Sequence, residues 1–359
     1  MPRSLVFIVG AGSTVADASS APVKRRPPLD RGFFASVRSA KDDPSSQWAI
    51  GSVKRYMQTH YGKDIESPVN DSLEAVFACI YTDIGHPELS AEAANAFRSL
   101  VYSFNRRLAW TTNVLAPTMG RSLYRILCKW FREGLEGGDI GIITFNYDLQ
   151  IERTLDALQS KACWKRLGRL FAFPQSYHLD LAPGRVTRPP AGQDVFQADG
   201  LGEAHVPIVK LHGSLNWYSV HHSRTPSVPA MLRRNREVWV TPRKTIQPQM
   251  TLQRGRVEYT LPVVVPPVIH KTGILHEKLV PLWREAERLL GEAEEVVVFG
   301  YSCPPVDHEA SNLMERSLKP RRPSLTVIDP NPEVLGRFLG LADPKKCEYY
   351  SHVRDYLTS

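Results

Sequence analysis

A chain of 359 residues, 42% hydrophobic and 23% charged, holds one large globular domain with insertions, or two domains. Its net charge of +8 suits an anionic partner, nucleic acid among them, and equally a basic surface that repels its own copies. Five cysteines (Cys79, Cys128, Cys163, Cys303, Cys347), odd in number and widely spaced, exclude a disulfide scaffold and a C-x-x-C metal or redox motif, and no apolar run reaches the ~20 residues of a membrane span, so a cytoplasmic protein is expected.

The apolar N-terminus runs from Leu5 to Val9 into Gly10-Ala11-Gly12-Ser13-Thr14 without the basic start or cleavage site of a signal peptide. It reads as a buried strand ending in a glycine turn, where backbone amides can approach a phosphate because no Cβ intervenes. As a dinucleotide fingerprint it is incomplete, because the third glycine position holds Val15. From Ala21 to Phe34 the prolines and the basic run Lys24-Arg25-Arg26 forbid regular structure, and the segment reads as a loop beside that turn.

Residues 45–136 read as a helical insertion, with amphipathic stretches at Trp48 to His60, Ala91 to Leu108 and Ser122 to Leu135. Asp71 and Glu74 form a capping-box pattern ahead of an apolar run. Arg106, Arg107, Arg121, Arg125, Lys129 and Arg132 read as the wet face of this bundle, with a nucleic-acid groove as the alternative.

After Gly137-Gly138 a second apolar strand ends in Thr144-Phe145-Asn146-Tyr147-Asp148 and passes into a helix over Leu149 to Leu158. A strand followed by a helix is the unit of a parallel sheet, whose ligands sit at the carboxyl ends of the strands. Asn146 and Asp148 fall on that rim, where a turn residue and an N-cap are the plain alternatives. Residues 160–205 lack a period and read as an insertion. A third strand then ends in Lys210-Leu211-His212-Gly213-Ser214, and the histidine is either structural or placed to reach over the rim. Residues 216–265, with strand-like pieces near Val238 and Tyr259, read as a second insertion, a small β module or lid. A helix over Ile274 to Glu292 precedes a fourth strand ending in Phe299-Gly300-Tyr301-Ser302, with Asp307 as the N-cap of the next helix. The fifth strand ends in Asp329-Pro330-Asn331, an acidic tip suited to ribose hydroxyls or to capping a helix.

The expected fold is therefore α/β: a Rossmann-like parallel sheet of five or six strands, carrying an inserted helical bundle and a small loop/β insertion. Residues 1–44 hold the first strand, the phosphate turn and the cofactor loop; 45–136 are the helical insertion; 137–359 are the remainder, interrupted at about 160–205 and 216–265.

Taken in order, these strand ends resemble the sirtuin (SIR2) superfamily, with the closer likeness to bacterial SIR2-like domains of anti-phage defence systems. Gly10-Ala11-Gly12-Ser13 is similar to the family's NAD-binding turn, Thr144 to Asp148 to its Thr-Gln-Asn-x-Asp, and Lys210 to Gly213 to the element with the catalytic histidine. Gly300-Tyr301-Ser302 with Pro304 and Asp307 is similar to the Gly-Tyr-Ser-x-Pro-x-x-Asp of the defence branch. The four-cysteine zinc module of the deacetylase branch is missing, so no metal is implied, and the Asp-Phe-Arg element is echoed only by Asp30 to Phe33.

The resemblance implies NAD+ as a substrate, hydrolysed to nicotinamide and ADP-ribose. It implies His212 as general base, Asn146 holding the ribose or water, and Asp148 orienting them or stabilising the cation. Gly10, Ala11, Gly12, Ser13 and Thr14 would bind pyrophosphate; Gly300, Tyr301 and Ser302 the phosphate or ribose; Asp329 and Asn331 the adenosine side. An NAD-dependent deacylase and a non-catalytic nucleotide-sensing module are the alternatives. A constitutive NADase is toxic, so a homo-oligomer or a partner ATPase is expected to switch it on.

Overall fold

In the first strand every residue from Leu5 to Val9 is apolar and fully buried, as only a strand covered on both faces allows. A computed structural model describes residues 4–19, 21–22, 26–40, 43–67, 72–112, 115, 121–135, 139–160, 170–171, 175–177, 206–223, 239–240, 249–253, 256–265, 279–304 and 307–359. Its strands in chain order are β1 (Leu5–Val9), β2 (Ile140–Thr144), β3 (Ile208–Lys210), β4 (Gly213–Ser223), β5 (Trp239–Val240), β6 (Gln249–Gln253), β7 (Arg256–Val264), β8 (Glu295–Phe299), β9 (Ser324–Ile328) and β10 (Cys347–Tyr350). The helices are α1 (Ala11–Asp17), α2 (Phe33–Ser39), α3 (Pro44–Tyr61), α4 (Leu73–Asp83), α5 (Ser90–Thr112), α6 (Ser122–Arg132), α7 (Gln150–Gln159), α8 (Val280–Glu292), α9 (His308–Leu318), α10 (Glu333–Phe338) and α11 (Val353–Thr358).

Six strands form one parallel sheet in the order β10-β9-β8-β1-β2-β3. Numbered along the chain these six run 3-2-1-4-5-6 across the sheet, the doubly wound order of dinucleotide-binding folds. The expected Rossmann-like class is thus what the structure shows. The order reverses between β1 and β8, and a ligand in such a sheet binds in the crevice outside the carboxyl ends at that reversal. One continuous core fills both faces, drawing on Leu127 and Phe131 of α6, Leu155 of α7, Leu290 of α8 and Leu313 of α9.

Helices α2 to α5 carry a second core of their own, in which Phe33, Phe77, Phe97 and Phe104 meet edge-on or tilted. Tyr147, just past β2, joins this core to the sheet: Phe104 meets its ring at 5.3 Å, and its hydroxyl donates to the Val265 carbonyl.

Several sequence expectations need correction. Phe33 and Phe34 are not loop but the buried start of α2. The cap of α4 is Ser72, whose hydroxyl accepts from the Ala75 amide, and Asp30 accepts from Ser72 and from the Glu74 amide; Asp71 lies outside the described residues. Arg107 is not on a wet face. It is fully buried, donates to Ser36 and stacks on Trp110 at 4.6 Å. Arg106 is tied to Asp43 at 2.5 Å.

The third strand is shorter than expected. Only Ile208–Lys210 joins the parallel sheet, Leu211 and His212 turn, and β4 starts at Gly213. That glycine has φ +82°, and a Cβ there would lie 2.1 Å from the Val263 carbonyl. The segment beyond is an antiparallel sheet, β5-β4-β7-β6. β10 at the sheet edge went unforeseen, because Cys347–Tyr350 is half-exposed and lacks an apolar run. Of the insertion at 160–205 only residue 160, residues 170–171 and Gln175–Tyr177 are described, and the helix begins at Val280 within them. Among the described residues no helix is long and apolar enough to cross a membrane.

Candidate active site

At the reversal point the ends of β1 and β8 touch backbone to backbone. Gly10 N donates to Phe299 O at 3.0 Å and Gly12 N to Gly300 O at 2.9 Å. A Cβ on Gly10 would sit 2.5 Å from Gly300 O, and one on Gly300, which has φ +61°, would sit 2.2 Å from Ser13 N. Three glycines are required here because two turns share one space. The seam also engages amides expected to face a pyrophosphate: Gly12 N is bonded to Gly300 O and Ser13 N to Gly10 O. Ser13 and Thr14 turn inward and are buried, whereas Ala11 is exposed and Gly12 half-exposed.

Beneath this seam the β1 and β2 ends form one polar network. Ser13 donates to Gly10 O at 2.7 Å, and Thr14 to Asp148 Oδ2 at 2.7 Å. The Asn146 Nδ2 group donates to Gly10 O at 2.9 Å and to Thr14 Oγ1 at 3.2 Å. Because Gly10 O can only accept, the amide has one orientation, with Nδ2 toward Gly10. Asn146 Oδ1 is then a buried acceptor with no hydrogen-bond partner among the described residues. Asp148 also accepts from Gln150 N at 2.9 Å, so its carboxylate opens α7. Asp17 lies close by. Burial pushes its carboxyl up, the Ser122 hydrogen bonds and Arg121 work against that, and the Asp148 charge adds to it.

His212 stands at the carboxyl end of β3 in the turn to β4, its carbonyl held by Val265 N at 2.8 Å. Its ring meets Phe145 at 5.1 Å edge-on and Tyr147 at 6.0 Å, and Phe145 in turn stacks on Tyr301 at 4.1 Å and 8°. This row of rings spans the ends of β3, β2 and β8. Asp307 reaches in from the start of α9, with Oδ2 3.8 Å from His212 Nε2, and both side chains are buried. Burial pushes the Tyr147 and Tyr301 phenols up, and the Asp307 charge acts in the same direction.

The structure thus brings Gly10, Ser13, Thr14, Asn146 and Asp148 into one network, with Tyr301 and His212 joined to it through Phe145. Ser302 is exposed, and its carbonyl accepts from Arg337 at 2.5 Å. Asp329 and Asn331 lie on the same rim at the end of β9, one strand beyond β8, and make a local turn. Asp329 accepts from Asn331 N at 2.9 Å and Asn331 from Glu333 N at 3.1 Å. Burial raises the Asp329 carboxyl, against the Asn331 bond and Arg337.

Two features escaped the sequence reading. The first is that Asp307, which the sequence marks as a helix cap and as the last residue of the Gly-Tyr-Ser-x-Pro-x-x-Asp pattern, lies beside His212; it also caps the helix, through Ala310 N at 3.4 Å. The second is a buried polar chain behind Asp148. Lys210 is fully buried, donates to the Asp148 carbonyl and pairs with Glu152 at 2.9 Å. Tyr177 donates to Glu152 at 2.9 Å, Asn216 to Tyr177 at 3.0 Å and Ser214 to Asn216 at 2.6 Å. The signal was present: a lysine in the run Ile208-Val-Lys-Leu must find a partner, because an unpaired charge is too costly inside a sheet. Among the described residues no group of three His, Cys, Asp or Glu side chains is arranged to hold a metal ion.

The chain matches no protein-family model. No curated protein matches it. Solved structures similar to it include a mutant Sir2 homologue in complex with 2′-O-acetyl ADP ribose, 14% identical over 99% of this chain and 88% of that one, with a TM-score of 0.45. A Sir2 homologue in complex with NAD is 15% identical over 99% and 86%, with a TM-score of 0.43. A Sir2 complex with a p53 peptide and NAD+ is 12% identical over 99% and 91%, with a TM-score of 0.43.

Proposed function

We propose that the protein is an NAD+ glycohydrolase of the SIR2-like type, cleaving NAD+ to nicotinamide and ADP-ribose as a depleting effector of anti-phage defence. The observation that carries the reading is the Asn146 amide. Its N–H groups are engaged by Gly10 and Thr14, and its carbonyl is a buried acceptor without a partner among the described residues, next to the strand reversal. An acceptor so held suits an O–H of a ribose or of an attacking water, since leaving it empty is costly.

The nicotinamide ring of NAD+ is already cationic, so its departure needs no acid. The C1′–N bond breaks with its electron pair going to nicotinamide, which leaves neutral. The water oxygen bonds to C1′, and the proton that water loses goes to His212 and then to solvent. Asn146 Oδ1 orients the water or the adjacent hydroxyl. Asp148, fixed by Thr14 and Gln150, supplies negative charge near the developing sugar cation. Ala11 and Gly12, on the open side of the glycine turn, face the diphosphate, and Asp329 with Asn331 faces the adenosine ribose.

Asn146 and His212 are 6% and 7% exposed, so both candidate groups lie covered at the rim. That supports an enzyme held off until a second copy or a partner ATPase opens it.

The test is incubation of the purified protein with NAD+, alone and with co-expressed partners, reading nicotinamide by chromatography. His212→Ala and Asn146→Ala are expected to lower the rate by about 10²–10⁴-fold. Unchanged rates remove both residues from the mechanism. A strict requirement for an acyl-lysine peptide assigns deacylation instead, and NAD+ binding without nicotinamide release assigns a sensing module.

A further inference from the structure

We propose that Asp307 is the positioning residue for His212, holding by its charge the tautomer that carries a proton on Nε2 and leaves the base lone pair on Nδ1. This rests on reading His212 as the base, although the pairing itself is measurable without turnover.

The geometry is specific. Asp307 Oδ1 caps α9 through Ala310 N, which fixes the carboxylate and leaves Oδ2 toward the ring, 3.8 Å from Nε2. That spacing is beyond hydrogen-bond length and within ion-pair reach, so the carboxylate acts on the ring through charge. The ring cannot swing freely, because Phe145 meets it edge-on and Tyr147 lies against it. A cap needs one oxygen only, and Asn or Ser supplies one as well as Asp. The second oxygen lies buried within ion-pair reach of the imidazole.

The other described titratable groups around the pair do not supply the charge. From the end of β2, Tyr147 is held neutral by burial, with the Asp307 and Glu74 charges acting in the same direction. From the end of β8, Tyr301 and Cys303 are also pushed up by burial, with the Asp307 charge adding to it. Arg337 acts on Cys303 from α10. Lys210, two residues before the histidine, is committed to Glu152 and the Asp148 carbonyl. Among the described residues the anion facing His212 is Asp307. A carboxylate there stabilises the imidazolium formed when the base takes its proton and raises the pKa of the ring.

The experiment compares wild type with Asp307→Asn, which keeps the helix cap and removes the charge, and with Asp307→Ser as a second cap-retaining variant. Imidazole nitrogens are titrated by NMR in the full chain, with His212→Gln assigning the signal. In the wild type the neutral ring is expected as the Nε2–H tautomer. In both variants the protonation constant of His212 is expected to fall about tenfold. The acid limb of kcat/KM for NAD+ moves down by the same unit, and the plateau drops.

An Nδ1–H tautomer in the wild type, or a His212 titration unaltered by both substitutions, overturns the proposal. So does a loss of turnover with no change in titration, which makes Asp307 structural only. A titration shift as expected, with no NAD+ turnover by any form including the wild type, alone or with co-expressed partners, upholds the pairing and overturns the glycohydrolase reading.

Discussion

Thr14→Val tests whether the glycine turn and the β2 end act as one unit. Thr14 is 3% exposed, and valine has nearly its shape, so the substitution opens no cavity. It removes the donor to Asp148 Oδ2 at 2.7 Å and the acceptor of Asn146 Nδ2 at 3.2 Å. A hydrogen bond to a charged acceptor contributes roughly 1.5–3 kcal/mol, and a stranded buried donor costs about 1–3 kcal/mol more. Ser13 Oγ, 3.4 Å from Asn146 Nδ2, takes over part of the second bond. The balance is a destabilisation of about 3 kcal/mol, read as a lowered urea midpoint with unchanged slope. Asn146 keeps only its Gly10 bond at full strength, and a shift of about 1 Å in a positioning group lowers turnover on the order of 10²-fold. Thr14→Ser keeps the hydroxyl and is expected to retain most of both properties. A valine variant as stable and as active as wild type refutes the reasoning, as does a serine variant worse than the valine.

Two further predictions concern charges. Lys210→Met leaves Glu152 buried without its cation and is expected to cost about 3–5 kcal/mol in urea unfolding, much of it regained in the Lys210→Met, Glu152→Gln double variant; equal losses in single and double variants would contradict the pairing. Burial raises the Asp43 carboxyl, but its hydrogen bonds with Ser46 and Arg106 and the Arg106 charge outweigh that, and its pKa lies below the ordinary value. Its stabilising contribution is therefore present above the unfolded pKa of about 4 and lost as pH falls through the folded value. Asp43→Asn should be less stable than wild type at pH 6 and converge with it in acid; a constant gap across that range argues against the assignment.

Much of the parallel sheet was legible because a strand covered on both faces is a continuous apolar run, and four such runs end in glycine or a small polar residue. β10 was not legible. It lies at an edge, half-exposed, and joins only by pairing with β9. Arg107 was misplaced because helical periodicity marks a charged side chain as solvated, and nothing local announces that Ser36 and Trp110 will cover it. The helix that Asp71 was expected to cap is capped one residue later, by Ser72, within the ordinary latitude of element ends.

By itself the sequence determined which segments become buried strands and which polar residues stand at their carboxyl ends, since burial and turn formation depend on neighbours along the chain. Tertiary structure alone decided that the strands run 3-2-1-4-5-6, and so that Gly300 lies against Gly12. It also decided that Asn146 turns its amide to Gly10 and that Asp307 faces His212. Those contacts join residues far apart in the chain, and which of them meet depends on strand order and side-chain direction, neither of which a local pattern encodes.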